Sequence, residues 1–258
     1  MTAKTTTESV HTDHLPDGVM VLTLDRPPVN ALNSGFLEAI DQALVDMGER
    51  ADVRALVITG AGKTFSAGMD LKEVQAFTVA DQTAMVDALG RVISRLYGFP
   101  KPVIAAVNGH AIAGGLLLVL ATDVRIASAD ALLGFAEARV GIRIPLAALA
   151  IIRGEISPST QRRLLLGGKP VAAEAAERMG FVDEVVDPAA VMDRAGAVAE
   201  DFARIPPRTF AAVKAQLRSE TRKTLDDVHA RRSDPLLRGW FNDETKDAAR
   251  AILNVRTK

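Results

Sequence analysis

Two short stretches of this chain put glycine and other small residues where a strand gives way to a helix. They are Phe65-Ser66-Ala67-Gly68-Met69-Asp70-Leu71 and Asn108-Gly109-His110-Ala111-Ile112-Ala113-Gly114-Gly115-Leu116. Glycine lets the backbone approach a ligand closely, and the first turn of a helix carries N–H groups with no partner inside the helix. Two such junctions facing each other could aim two N–H donors at one oxygen, the construction of an oxyanion hole. The plainer reading is that Gly68, Gly114 and Gly115 serve tight turns and close packing. A third candidate is Glu137, in Phe135-Ala136-Glu137-Ala138-Arg139-Val140-Gly141, between a short strand and a helix started by Pro145. In an apolar cleft such a carboxyl holds its proton more tightly, which suits proton transfer near neutral pH. On a surface loop it would simply pair with Arg139 or Arg143.

Elements that could position these groups follow from the apolar pattern. Val19 to Leu24, Val53 to Thr59 and Val103 to Val107 read as strands, the second apolar almost throughout, as a strand buried on both faces would be. Ser34 is the expected N-cap of a helix through Arg50, with Phe36, Leu37, Ile40, Leu44 and Met47 on one face. Gly60 to Met69 reads as a loop, and a helix follows over about 81–97. Gly114 and Gly115 open an apolar helix ending near Thr122, followed by short strands at 124–127 and 132–135. After Pro145 the chain is mostly helical: Ser157-Pro158 caps one helix, Gly167 and Gly180 stop two others, Val182 to Val186 is a last strand, and Asp187-Pro188 starts a further helix. Strands alternating with helices, then helices alone, predict an α/β core at 18–204, a polar, loose tail at 1–17, and a helical region at 205–258. Arg208 to Arg232 is amphipathic and suits packing on a neighbouring surface.

Composition narrows the function. The chain has 258 residues, 48% hydrophobic and 24% charged, an ordinary soluble balance. A net charge of −1 offers no basic field for nucleic acid or a membrane surface. With no cysteine there is no disulfide, thiolate metal site or thiol nucleophile. His11, His14, His110 and His229 form no metal-binding spacing, so no metal is expected. No dinucleotide or phosphate-loop motif appears. No stretch has the order of a signal peptide or the length of a membrane span, so a cytoplasmic protein is expected.

In order and spacing, several landmarks resemble the enoyl-CoA hydratase/isomerase (crotonase) superfamily. They are Asp25-Arg26-Pro27 with Asn30-Ala31-Leu32; Val57-Ile58-Thr59-Gly60 leading to Phe65–Leu71; Lys101-Pro102-Val103 leading through Asn108-Gly109 to the second junction; Asp123 with Arg125-Ile126-Ala127; Glu137 followed by Gly141 and Pro145; and Gly180-Phe181-Val182-Asp183-Glu184-Val185-Val186. Any one would be weak, but six in order are specific. The resemblance implies a superhelix of β-β-α turns with a C-terminal α-helical trimerisation region, assembled as a homotrimer or a dimer of trimers. It implies an acyl-coenzyme A thioester as substrate, with no further cofactor. The thioester oxygen would lie between the N–H groups of Met69 and Gly114, with Glu137 as the acid/base. Substrate contacts carried over with the motifs are Arg26, Val29, Ala31, Lys63, Ala67, Gly68, Asp70, Leu71, Gly109, Ile112 and Leu117. Asp70 is also expected to cap the next helix. Lys63 and Lys72 are candidates for the phosphates or adenine of coenzyme A, or are solvated surface lysines. Arg143 could point into the pocket or lie on the surface. Arg256 and Lys258 are candidates for a neighbouring subunit's nucleotide pocket. His110 is read as a packing or backbone contact.

The chain departs from the family at one telling position. Its hydratases carry a second glutamate three residues past the second oxyanion glycine, where this chain has Leu117. Hydration needs a water held and deprotonated as well as a proton delivered to C2, and leucine does neither. Moving a double bond from C3 to C2 needs one base. Isomerisation of an enoyl-CoA is therefore the expected reaction, with hydration the alternative and a non-catalytic acyl-CoA binder a third reading. After Pro145 the chain also lacks the family's usual glycine-rich turn, which implies a bulkier pocket wall.

Overall fold

A computed structural model describes residues 6–7, 9–74, 76–231, 245 and 247. Its first sheet gathers the strands β1 (Thr6–Thr7), β2 (Val10–His14), β3 (Val19–Leu24) and β4 (Ala55–Gly60). Between β3 and β4 runs helix α1 (Ser34–Glu49). Beyond β4 the chain forms β5 (Thr64–Ser66), the short helix α2 (Leu71–Val74) and the long helix α3 (Val79–Tyr97). The next turn is β6 (Val103–Val107), β7 (His110–Ile112) and α4 (Gly114–Leu120). The one after is β8 (Val124–Ser128), β9 (Leu132–Gly134) and α5 (Leu146–Glu155). Then come α6 (Pro158–Gln161), β10 (Val171–Ala172), α7 (Ala173–Arg178), β11 (Glu184–Val186) and α8 (Val191–Ala203). Two C-terminal helices follow, α9 (Pro207–Leu217) and α10 (Ser219–Arg231).

The repeating β-β-α order winds two sheets around one core. In the larger sheet β3, β4, β6, β8 and β11 run parallel in that order, with β2 antiparallel on the outer side of β3. Every residue of β4 and β6 is buried, because helices cover both faces. On one side lie the apolar faces of α1 and α3; on the other, Val21, Val57, Ile104 and Ile126 pack against Ala195, Ala199 and Ala203 of α8. The smaller sheet sets β5, β7 and β9 parallel, with β10 antiparallel to β9. Among the described residues no helix is long and apolar enough to cross a membrane.

Several expectations need correction. The segment 1–17 is not a loose tail throughout: Val10–His14 pairs along the whole length of β3, from Val10 opposite Leu24 to His14 opposite Met20. The expected loop at 60–69 contains β5, which its pairing with β7 holds extended. Asn33, not Ser34, caps α1, its side chain accepting the Phe36 N–H at 2.9 Å. Helix α3 starts at Val79, behind a capping box in which Thr78 and Asp81 satisfy each other's backbone N–H. Ser157, Gly167 and Asp187 cap or stop their elements as expected.

Helices α9 and α10 fold back on their own core, with Leu225 buried in the core cluster beside residues of α5. A buried ionic cluster fixes them there. Lys214 Nζ lies 2.7 Å from Asp123 Oδ2, and Arg218 Nη2 lies 3.2 Å from Asp123 Oδ1. The Arg218 guanidinium also donates to the carbonyls of Tyr97 and Thr122, 2.7 Å each, and stacks 4.1 Å from the Tyr97 ring centroid. Glu155 joins the cluster through Arg125. Burial lowers the Lys214 amine to about 8, against the pull of Asp123 that favours its charged form. Removing Asp123 leaves two buried cations without their nearest carboxylate, so Asp123→Ala is expected to lower unfolding stability by about 3–5 kcal/mol, read by urea denaturation.

Candidate active site

The first junction is stitched to the turn that precedes α1. Asn30 is 2% exposed and held at φ 51°. Its side-chain N–H groups donate to the carbonyls of Ala61, Thr64 and Phe65, while its Oδ1 accepts the Arg26 N–H at 2.9 Å. Ser66 donates its hydroxyl to the Asn30 carbonyl at 2.8 Å and accepts the Gly68 N–H at 3.2 Å. Ala67 N donates to Val29 O. Leu32 bridges to Met69 in parallel fashion: Leu32 N donates to Gly68 O at 2.8 Å, and Asp70 N donates to Leu32 O at 2.9 Å. In that pattern the flanking residues take both bonds, so the N–H of Met69 itself faces away from Leu32.

The second junction meets the first directly. Ala113 takes φ 53° and donates its N–H to Gly134 O at 2.8 Å, and this bend sends the chain from β7 into α4. Gly114 is the first residue of α4, with no side-chain cap before it. Gly68 sits at φ +80°, and a methyl group there would lie 2.8 Å from Ile112 O and 3.2 Å from Gly114 N. Only glycine fits both that backbone conformation and that approach. The backbones carrying the Met69 and Gly114 N–H groups are therefore in contact.

Glu137 follows from the third strand of the same sheet. It opens a 3-10 turn at Glu137–Arg139, three residues beyond the end of β9. Val140 N and Ile142 N both donate to the Glu137 carbonyl, at 3.1 and 2.9 Å. Glu137 is 9% exposed, and its Oε2 has no hydrogen-bond partner. Burial pushes its carboxyl up to about 7, only partly offset by the nearby N–H groups of Ala136 and Glu137. The surface-pairing alternative does not fit such a buried carboxyl, and the Arg139 Nε donates instead to Gly167 O at 2.9 Å. Strands β5, β7 and β9 thus deliver Met69, Gly114 and Glu137 from their C-terminal ends, where open parallel sheets form crevices. A small apolar cluster of Val74, Val86, Val140 and Ile142, packed with Met69 and Leu71, links the first junction to the Glu137 turn.

The remaining expected site residues divide by what they touch. Val29, Ala31, Ala67, Leu71 and Ile112 are half-buried around the junctions. Gly109 packs against β5: a methyl group there would lie 2.1 Å from Lys63 O. Lys63 and Lys72 are exposed. Arg26 and Asp70, expected at the substrate, form an ion pair with each other. Arg26 donates to Asp70 Oδ2 at 2.9 Å, to Glu73 Oε1 at 2.8 Å and to Ala31 O at 2.8 Å. Asp70 Oδ1 accepts the Lys72 N–H at 3.1 Å, the capping role expected of it. His110 makes a backbone contact, its Nδ1 accepting the Leu132 N–H at 3.1 Å. Leu117 is 3% exposed on α4, whose seven residues are all buried and include no carboxylate. Arg256 and Lys258 lie outside the described residues. Asn30 and Ser66 were not expected as site residues, yet they hold the first junction in shape.

Comparison with known proteins shows the family and the fold. Residues 14–249 match the family model described as enoyl-CoA hydratase/isomerase. A probable enoyl-CoA hydratase of Bacillus subtilis is 32% identical over 240 residues, covering 92% of this chain and 93% of that one. A solved probable enoyl-CoA hydratase of Mycobacterium tuberculosis superposes with a TM-score of 0.81 at 32% identity, covering 87% of this chain and 96% of that chain. Human mitochondrial delta3-delta2-enoyl-CoA isomerase superposes with a TM-score of 0.90 at 25% identity, covering 97% of this chain and 98% of that chain. The fold is that of the crotonase superfamily. Within it, the chain belongs to the enoyl-CoA hydratase/isomerase family of enzymes.

The burial of Glu137 has a consequence that needs no substrate. An acid whose pKa is raised by folding supports the folded state fully below its unfolded pKa, and that support is lost as pH rises through the folded value. Here the window runs from 4.5 to about 7, which corresponds to about 3 kcal/mol. Glu137→Gln removes this titration. Relative to that variant, the wild-type chain is expected to lose about 3 kcal/mol of unfolding stability between pH 4.5 and pH 8. Urea denaturation at a series of pH values reads the difference; a constant offset would contradict the burial.

Proposed function

We propose that this enzyme isomerises the double bond of an enoyl-CoA thioester from C3 to C2. The observation that carries the reading is the buried carboxyl of Glu137, carried past the end of β9 in the same small sheet whose strands β5 and β7 lead to Met69 and Gly114, with Leu117 in an all-apolar α4 where a second carboxylate would have to stand.

The thioester oxygen of a 3-enoyl-CoA lies between the N–H groups of Met69 and Gly114. Ionised Glu137 takes a proton from C2. The electron pair of the broken C–H bond spreads over C4 and the thioester oxygen, and the two donors stabilise the negative charge gathering there. One such donor is worth about 3–4 kcal/mol of barrier. The protonated Glu137 then returns the proton to C4, leaving the double bond between C2 and C3. One carboxyl suffices, and no water enters. A carboxyl titrating at about 7 is matched to both halves of this cycle near neutral pH. The half-buried Val29, Ala31, Ala67, Leu71 and Ile112 flank the acyl thioester, and the exposed Lys63 and Lys72, which flank the first junction in sequence, meet the nucleotide phosphates.

Hydration of a 2-enoyl-CoA is the second reading, favoured by the names of relatives such as the probable enoyl-CoA hydratase of Bacillus subtilis. It asks Glu137 both to activate water and to protonate C2, because Leu117 can do neither. For assembly we propose a homotrimer or a pair of trimers. The exposed Val213 and Leu217, one turn apart on α9, offer apolar surface for a subunit contact.

Incubation in deuterated water with 3-enoyl-CoA, 2-enoyl-CoA and saturated acyl-CoA separates the readings. Conjugation of the 3-enoyl substrate with little water addition to the 2-enoyl one is expected, and Glu137→Gln is expected to slow it by about 10²–10⁴-fold. Faster water addition than conjugation would favour the hydratase. Binding without exchange at C2 would make the chain an acyl-CoA binder.

A further inference from the structure

The turn that carries Glu137 is closed by a residue more than a hundred positions away. Gly141 lies at φ +65°, and its backbone is so close to the C-terminal segment that a methyl group on it would stand 3.3 Å from Thr245 Cα and 3.3 Å from Thr245 N. Thr245 is fully buried, and its hydroxyl donates to the Gly141 carbonyl at 2.8 Å. That carbonyl belongs to the same peptide unit as the Ile142 N–H, which donates to the Glu137 carbonyl at 2.9 Å. One peptide plane is therefore pinned at both ends, by Thr245 on one side and by the Glu137 backbone on the other. Hydrogen bonds in such a chain polarise and strengthen each other. The arrangement matters because the Glu137 carboxyl is held from its own turn: its Oε2 lacks a hydrogen-bond partner and the N–H groups acting on it are those of Ala136 and Glu137, so its direction depends on the backbone that carries it.

We infer that Thr245 is a positioning residue, whose hydroxyl reaches from the C-terminal segment to lock the Gly141–Ile142 peptide and so aims the Glu137 carboxyl at the substrate. The inference rests on the reading of Glu137 as the base. It ties Thr245 to the chemistry: a chain without that hydroxyl keeps the N–H pair at Met69 and Gly114 but holds its base loosely. Gly141 serves twice, accepting the left-handed backbone and leaving room for Thr245 to approach.

The test compares Thr245→Val, which keeps the shape and loses the hydroxyl, with Thr245→Ser, which keeps the hydroxyl, and with Thr245→Ala should the valine chain not fold. Conjugation of 3-enoyl-CoA is followed for each, with Glu137→Gln alongside. Thr245→Val and Thr245→Ala are expected to lower kcat by about ten- to a hundredfold with KM within about twofold, as a misplaced reacting group does. Thr245→Ser is expected to retain most of the wild-type kcat. In the hydroxyl-free variants, water reaching the loosened carboxyl moves the acidic limb of kcat/KM to lower pH. An unchanged kcat in Thr245→Val, or a loss in Thr245→Ser as large as in Thr245→Val, overturns the inference while leaving Glu137 as base if Glu137→Gln is inactive. Full activity in Glu137→Gln removes the base, and the inference with it.

Discussion

A buried carboxyl with an unpaired oxygen costs about 1–3 kcal/mol even when neutral, and more when ionised. A protein keeps one only where the surrounding backbone leaves it no better place to go. At Glu137 that constraint comes from the end of β9, whose Gly134 carbonyl is taken by Ala113, and from a turn closed by two bonds to the Glu137 carbonyl itself. The same strain of design appears at the N–H pair. Gly68 and Gly114 touch because β5 and β7 are neighbours, and because Asn30 and Ser66 fold the first junction inward. Three strands of a small sheet set the position of everything in the site.

The large sheet and the C-terminal helices make that small sheet possible. Strands β4, β6 and β8 run parallel to one another, and each is followed directly by its partner in the second sheet. The polar cluster of Asp123, Lys214, Arg218 and Glu155 sits just after α4, where it fixes α9 and α10 over the end of that helix. A buried ion pair contributes less to stability than its short distances suggest, because both ions are desolvated. Its value here is geometric: it sets where α9 lies against the core.

Much of the fold was legible in the amino-acid sequence because burial on both faces writes a continuous apolar run. Val103–Val107 is such a run, and Val19–Leu24 is one but for Thr23. Strand β2 was missed because it lies on the outside of β3, where His11, Thr12, Asp13 and His14 remain partly exposed and look like tail. Strand β5 was missed because three residues carry no period. At the site, the two junctions and Glu137 stood out by residue type, whereas the roles of Met69 and Gly114 as donors and the significance of Leu117 were reached through the resemblance to a family. The pairing of Arg26 with Asp70 was not legible, because an ion pair across 44 positions leaves no local trace. Thr245 was invisible for the same reason.

The central claim is that one carboxyl and two backbone donors surround a thioester with nothing polar at Leu117. A crystal structure with an unreactive acyl-CoA analogue bound tests it most directly. The thioester oxygen is expected at about 2.7–3.1 Å from both Met69 N and Gly114 N, with Glu137 as the carboxylate within reach of C2 and C4 and apolar contact alone at Leu117. A thioester oxygen elsewhere, or a second carboxylate holding a water over C3, would contradict it.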